Sequence, residues 1–190
     1  MPNYFDILPE NYKLVKTIDA KNTKVVLLMN LVGILIFILS LVPFLLLREY
    51  TLDFEIKSMG IFLIVYLVLT VVYVIAHELV HGLVYKIMTK QKLTFGITLT
   101  CAFCGVPNIY VTRKTALFAI LAPFVLFSLI FIPLLIIIPA NMINLAILLV
   151  FGTHTSGCVG DLYGTLVLIS LKGKLLMNDT GPKQTFYIEN

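Results

Sequence analysis

Residues 59–88 read MGIFLIVYLVLTVVYVIAHELVHGLVYKIM. From Met59 to Ala76 the stretch carries no charge. About 20 consecutive apolar residues, wound as a helix, cross the hydrocarbon core of a bilayer. The run then admits His77, Glu78 and His81 before it ends near Met88. Ionisable groups inside a span are costly and rare, and they mark functional sites. The stretch therefore reads as a transmembrane helix that carries chemistry.

Three further apolar runs flank it. They extend from Val25 to Leu47, from Thr115 to Ile138 and from Met142 to Leu171, the last with a polar centre. The whole chain of 190 residues is 59% hydrophobic and 13% charged, with a mean hydropathy of +1.01. That balance excludes an ordinary soluble domain. The expected fold class is all-α integral membrane: one membrane-embedded domain over 1–190, with about four transmembrane helices and a short β-hairpin. Residues 1–24 are polar, and the apolar run after them is too long for the core of a signal peptide, so it reads as an anchor.

Lysine and arginine set the orientation. Lys13, Lys16, Lys21 and Lys24 precede the first helix, and Lys86, Lys90, Lys92, Arg113 and Lys114 lie around the loop between the second and third. The link at 139–141 has none, and Lys172, Lys174 and Lys183 follow the fourth helix. Positive segments alternate, which places both termini in the cytoplasm of a multi-pass cell-membrane protein. The net charge of +4 follows from this bias and gives no reason to invoke nucleic acid.

Residues 93–112 break the helical pattern. "LTFGITLT" (93–100) alternates, with Leu93, Phe95, Ile97 and Leu99 on one face, and "VPNIYVT" (106–112) reads as a second strand beyond a "CAFCG" turn. The hairpin is either an interfacial loop with some sheet or an exposed edge that pairs with an extended peptide. Cys101 and Cys104 lie in it. In a reducing cytoplasm they form no structural disulfide, and with no second pair to complete a metal site they read as small apolar residues. The tail (177–190) is short and polar, and its "TFYI" segment is expected to add a strand to the hairpin.

His77 and His81 stand at i and i+4, so both imidazoles leave one helix face and can share a metal ion. Glu78 lies beside that ion, placed to take a proton from a water there. Two nitrogens do not complete a catalytic zinc site, which takes three protein ligands. The fourth run supplies candidates in "GTHTSGCVGDLYGT" (152–165), where His154, Cys158, Asp161 and Thr165 form one stripe on a continuous helix. Asp161 is favoured over His154. His77 lies roughly 13 Å before Lys86 and Asp161 roughly 16 Å before Lys172, whereas His154 is two turns deeper. Gly160 and Gly164 are expected to thin the helix there so that Asp161 reaches the metal.

The "HELVHG" motif, "LAP" at 121–123 and "GD" at 160–161 resemble the small bacterial membrane proteins called putative zincin peptidases, which are similar to site-2 proteases. The resemblance extends to the hairpin and the Asp179-x-Gly-Pro tail. It implies His77, His81 and Asp161 as zinc ligands, Glu78 as catalytic base, one Zn2+ per chain and a membrane protein or peptide as substrate. Where site-2 proteases carry an Asn and prolines ahead of the Asp, this chain has Thr153 and His154. His154 is read either as an oxyanion or substrate contact or as a helix-packing histidine. A di-iron bundle is set aside for want of a second Glu-x-x-His. The remaining alternative is a non-catalytic metal-binding, immunity or sensor membrane protein, which would not need Glu78.

Overall fold

The computed structural model describes residues 2–98 and 102–190. Two short strands come first, β1 (Tyr4–Phe5) and β2 (Tyr12–Asp19), followed by helices α1 (Thr23–Leu47) and α2 (Ile56–Thr89). Strands β3 (Thr94–Ile97), β4 (Ala102–Gly105) and β5 (Tyr110–Thr112) lead to α3 (Arg113–Ile137). Helices α4 (Met142–Gly157) and α5 (Val159–Ser170) and strands β6 (Leu175–Asp179) and β7 (Lys183–Glu189) complete the chain.

Among the described residues four helical segments are long and apolar enough to cross a membrane: α1, α2, α3, and α4 with α5 counted as one span, Met142–Ser170. Their side chains agree with that use. Leu31, Ile34, Leu35 and Ile38 of α1 and Ile64, Leu67, Val68 and Val71 of α2 are all more than half exposed. Such outward apolar stripes suit lipid, which is as apolar as the side chains themselves. The fourth span differs, being 61% buried where the other three are 6–17% buried. Its centre is polar, from Thr153 to Asp161, and burial within protein lets a span carry such residues.

The described chain divides into two compact units. The first comprises Met1–Met29, His77–Pro123 and Gly160–Asn190. Its core gathers Tyr85, Val106, Ile109, Val111, Ala116, Ala119, Ile120, Leu168, Met177 and Phe186. A five-stranded antiparallel sheet of order β1-β5-β6-β7-β2 belongs to it, and β3 and β4 form a separate two-stranded sheet. The second unit comprises Asn30–Ala76 and Phe124–Val159, with a core of Leu135, Ile147, Leu148 and Phe151. There Asn144, fully buried, donates to the carbonyls of Leu135 (3.2 Å) and Ile138 (3.0 Å), and Arg48 reaches the same two carbonyls. These bonds satisfy acceptors that the end of α3 leaves without helical donors.

Four expectations need correction. The β content is larger than one hairpin: the described residues form seven strands in two sheets. "CAFCG" is not a turn; residues 102–105 are the strand that pairs with β3, in register Phe95 with Cys104, while Tyr110–Thr112 pairs with β1 and β6. Leu99 and Thr100 of the alternating segment lie outside the described residues. "TFYI" is indeed strand, but it lies in β7 and pairs with β6 and β2 rather than with the hairpin. The fourth run is not one continuous helix either. Cys158 donates its backbone N–H to both His154 and Ser156 and closes α4, and α5 restarts at Val159.

Candidate metal centre

α2 delivers His77, Glu78 and His81, and α5 delivers Asp161 in its first turn. The Nε2 atoms of His77 and His81 lie 3.1 Å apart. Asp161 Oδ2 is 3.3 Å from the first and 3.4 Å from the second. These three atoms are the separations a zinc ion requires. Bonds of about 2.0–2.1 Å in tetrahedral array put neighbouring ligand atoms about 3.3–3.4 Å apart. Both histidines are buried, and the Asp161 side chain retains 17% exposure. The donor set of two imidazoles and one carboxylate suits zinc. The N-terminal turn of α5 also favours a carboxylate at this point, because its unpaired N–H groups carry partial positive charge.

The His81 ring is oriented from behind. Its Nδ1 lies 2.7 Å from the carbonyl of Ala119 in α3, so Nδ1 carries the proton and Nε2 is left as a metal donor. The sequence makes that carbonyl available. Four residues on stands Pro123, which has no N–H to donate back along the helix. The "LAP" motif thus has a role in the site that spacing did not reveal.

Glu78 is partly buried. One turn further along α2, Gly82 allows β3 and β4 to lie against the helix. A Cβ there would stand 2.8 Å from the Phe95 ring, 3.1 Å from Leu93 and 3.2 Å from Cys104 Sγ. Burial, reinforced by the Glu78 and Asp179 carboxylates, pushes the Cys104 thiol up to about 12. It therefore stays protonated and is neither a thiolate ligand nor a reactive nucleophile. Cys101 lies outside the described residues.

Tyr85 continues the His77–His81 stripe by one more turn and is 1% exposed. Its hydroxyl donates to Asp179 Oδ2 at 2.7 Å, and the Gly181 N–H donates to Oδ1 at 2.9 Å. Burial raises the Asp179 carboxyl to about 6 despite those two bonds. Sequence reasoning singled out neither Tyr85 nor Asp179 as part of the site. The only signal was the i+8 position of a tyrosine on the motif face.

His154 belongs to the second unit. It is fully buried, with Tyr73 Oη 3.0 Å from Nδ1 and Ser128 Oγ 3.1 Å from Nε2. The rings of Phe124, Phe127, Phe131 and Phe151 enclose it. The expected stripe from His154 through Thr165 is interrupted at Cys158. The glycine argument also changes. No other group comes within 4 Å of a Cβ built on Gly160, and Gly164 packs against Gln184 and Ile120. Asp161 lies in the first turn of the helix that restarts at Val159.

Two imidazoles one turn apart and a carboxylate from a second helix, with a glutamate beside them, form a group that could hold a metal ion. The chain belongs to the family described as "Putative zincin peptidase", whose model matches residues 70–175, more than half of its length. That match includes His77, Glu78, His81, His154 and Asp161 and ends before Asp179. No curated protein and no solved structure matches the chain.

Proposed function

We propose that the chain is a membrane-embedded zinc metallopeptidase of the site-2-protease kind. Its substrate is a membrane-associated protein or peptide, cut near the cytoplasmic side. The observation that carries this reading is the 3.1–3.4 Å triangle of His77, His81 and Asp161 with Glu78 beside it. His77 and His81 would hold one zinc ion through Nε2 and Asp161 through Oδ2. When bound, zinc supplies Lewis acidity that activates water and polarises a carbonyl. Glu78 takes the proton as the water oxygen bonds to the scissile carbonyl carbon. It returns that proton to the amine as the C–N bond breaks. His81, held by the Ala119 carbonyl, keeps its ring fixed through both steps.

The edge of β3 is the docking surface for substrate. Among the described residues β3 pairs only with β4, and Phe95 and Ile97 on it are exposed. An extended peptide added there gains main-chain hydrogen bonds beside α2. We assign His154 to packing, because hydroxyl groups meet both of its ring nitrogens. The lysine-rich termini and the lysine-rich loop after α2 favour a cytoplasmic site.

Glu78→Gln tests the chemistry. The glutamine keeps the shape but accepts no proton at neutral pH, so this variant should retain zinc and hold substrate uncut. Proteins that copurify with it, identified by mass spectrometry, should be cleaved by the wild type. Near-normal cleavage by Glu78→Gln would overturn the mechanism.

A further inference from the structure

We propose that Tyr85 and Asp179 form a positioning pair that sets the place of Glu78 by fixing the strand packed against its helix one turn away. The inference rests on the reading of Glu78 as the base. Three observations connect the pair to that strand. First, Tyr85 on α2 and Asp179 at the end of β6 are locked together by the 2.7 Å bond, and both are buried. Second, the Asp179 main-chain carbonyl accepts from Val106 N–H at 2.8 Å, two residues beyond Cys104. Third, Gly105 and the Thr180–Gly181 turn approach so closely that a Cβ on Gly105 would overlap that turn's backbone. Gly181 adopts a φ of +93°, a conformation glycine takes without strain, and a Cβ there would overlap the Phe103 ring.

The β6–β7 turn therefore grips β4 at residues 103–106 from one side. The hydroxyl of Tyr85 ties that turn to the same helix that carries Glu78. Cys104, in the middle of that strand, lies against α2 one turn from Glu78, its Sγ 3.2 Å from a Cβ built on Gly82. A carboxylate that must accept and return a proton needs a fixed orientation, since small misplacements of a reacting group cost large factors in rate. Neither Tyr85 nor Asp179 touches the three ligand atoms, so the pair acts through Glu78 and not through the metal.

The test uses the full chain in lipid nanodiscs, carrying Cys101→Ser and labelled with 15N-cysteine so that the Cys104 and Cys158 amides are followed separately. Tyr85→Phe removes one hydroxyl, and Asp179→Asn is the second variant should the first fold poorly. The expected result is an exchange rate at the Cys104 amide about tenfold higher in either variant, with the Cys158 amide and the zinc content unchanged. In cleavage assays kcat per zinc-loaded molecule should fall severalfold at unchanged KM. A merely structural role would lower the melting temperature and leave both the Cys104 exchange and kcat alone. Exchange at wild-type rates in a folded variant would overturn the proposal, and so would loss of zinc from Tyr85→Phe. The peptidase reading fails separately, through Glu78→Gln. If wild-type cleavage did not depend on Glu78, that reading would fall while the exchange measurement still decided whether the pair fixes the strand.

Discussion

Asp161 is the residue on which the metal centre turns. A carboxylate in a span is expensive unless it is paired, and here it faces two imidazole nitrogens at 3.3 and 3.4 Å. Asp161→Asn should therefore weaken zinc by more than the roughly 10–100-fold typical of losing an outer-shell partner. His154→Ala, prepared identically, should keep its zinc. The alanine should instead cost stability, roughly 2–4 kcal/mol, for the cavity and for the hydroxyls of Tyr73 and Ser128 left without the ring. If His154→Ala lost zinc and Asp161→Asn kept it, the ligand set would be wrong. Pro123→Ala probes the support behind His81. The new N–H competes for the Ala119 carbonyl, and zinc affinity should fall roughly tenfold; an unchanged affinity would mean that the bond does not orient the ring. The histidine pair and Glu78 were legible because their spacing alone puts them on one helix face. The Ala119 carbonyl was not, since it is a backbone group three elements away whose availability depends on a missing N–H.

At the scale of elements, the long apolar helices and the strands in 93–98, 106–112 and 185–188 were legible, and the pairing of strands into sheets was not. Length and lack of charge suffice to mark a span, and all four expected runs are helical. The five-stranded sheet joins β2 near the N-terminus to β7 near the C-terminus, Tyr12 opposite Glu189. β2 exposes most of its residues and buries only Ile18, so it shows no alternation from which to infer a strand. β4 was read as a turn because Gly105 looks like punctuation, whereas that glycine serves the close approach of the Thr180–Gly181 backbone. Asp179, at the end of β6, gives this region a pH signature. Its carboxyl sits at about 6 when folded, against an ordinary value of 3.8, because burial disfavours the charge. The folded state thus holds a proton that the unfolded chain releases first. Stability from this group is full below about pH 4, declines as pH rises to about 6, and is constant above. The loss amounts to up to about 3 kcal/mol. Melting curves of zinc-free protein at pH 4 and pH 7 should show this loss in the wild type and a smaller one in Asp179→Asn. An identical loss in both would assign the effect to other groups.

For the whole molecule, the account is of a multi-pass membrane protein whose one heavily buried span carries the third metal ligand. The outward apolar stripes of α1 and α2 suit lipid, and the proposed orientation rests on the distribution of lysines. Tags at Asn190 and in the 139–141 link should be accessible from opposite sides, the first from the cytoplasm. A tag at Asn190 that labels from outside would reverse the orientation and the compartment of the substrate. Beneath every functional statement lies the claim that His77, His81 and Asp161 hold zinc. Metal analysis of the gently purified wild-type protein tests it most directly. About one zinc per chain is the predicted result; a protein free of zinc, or one holding a tight pair of iron ions, would contradict it.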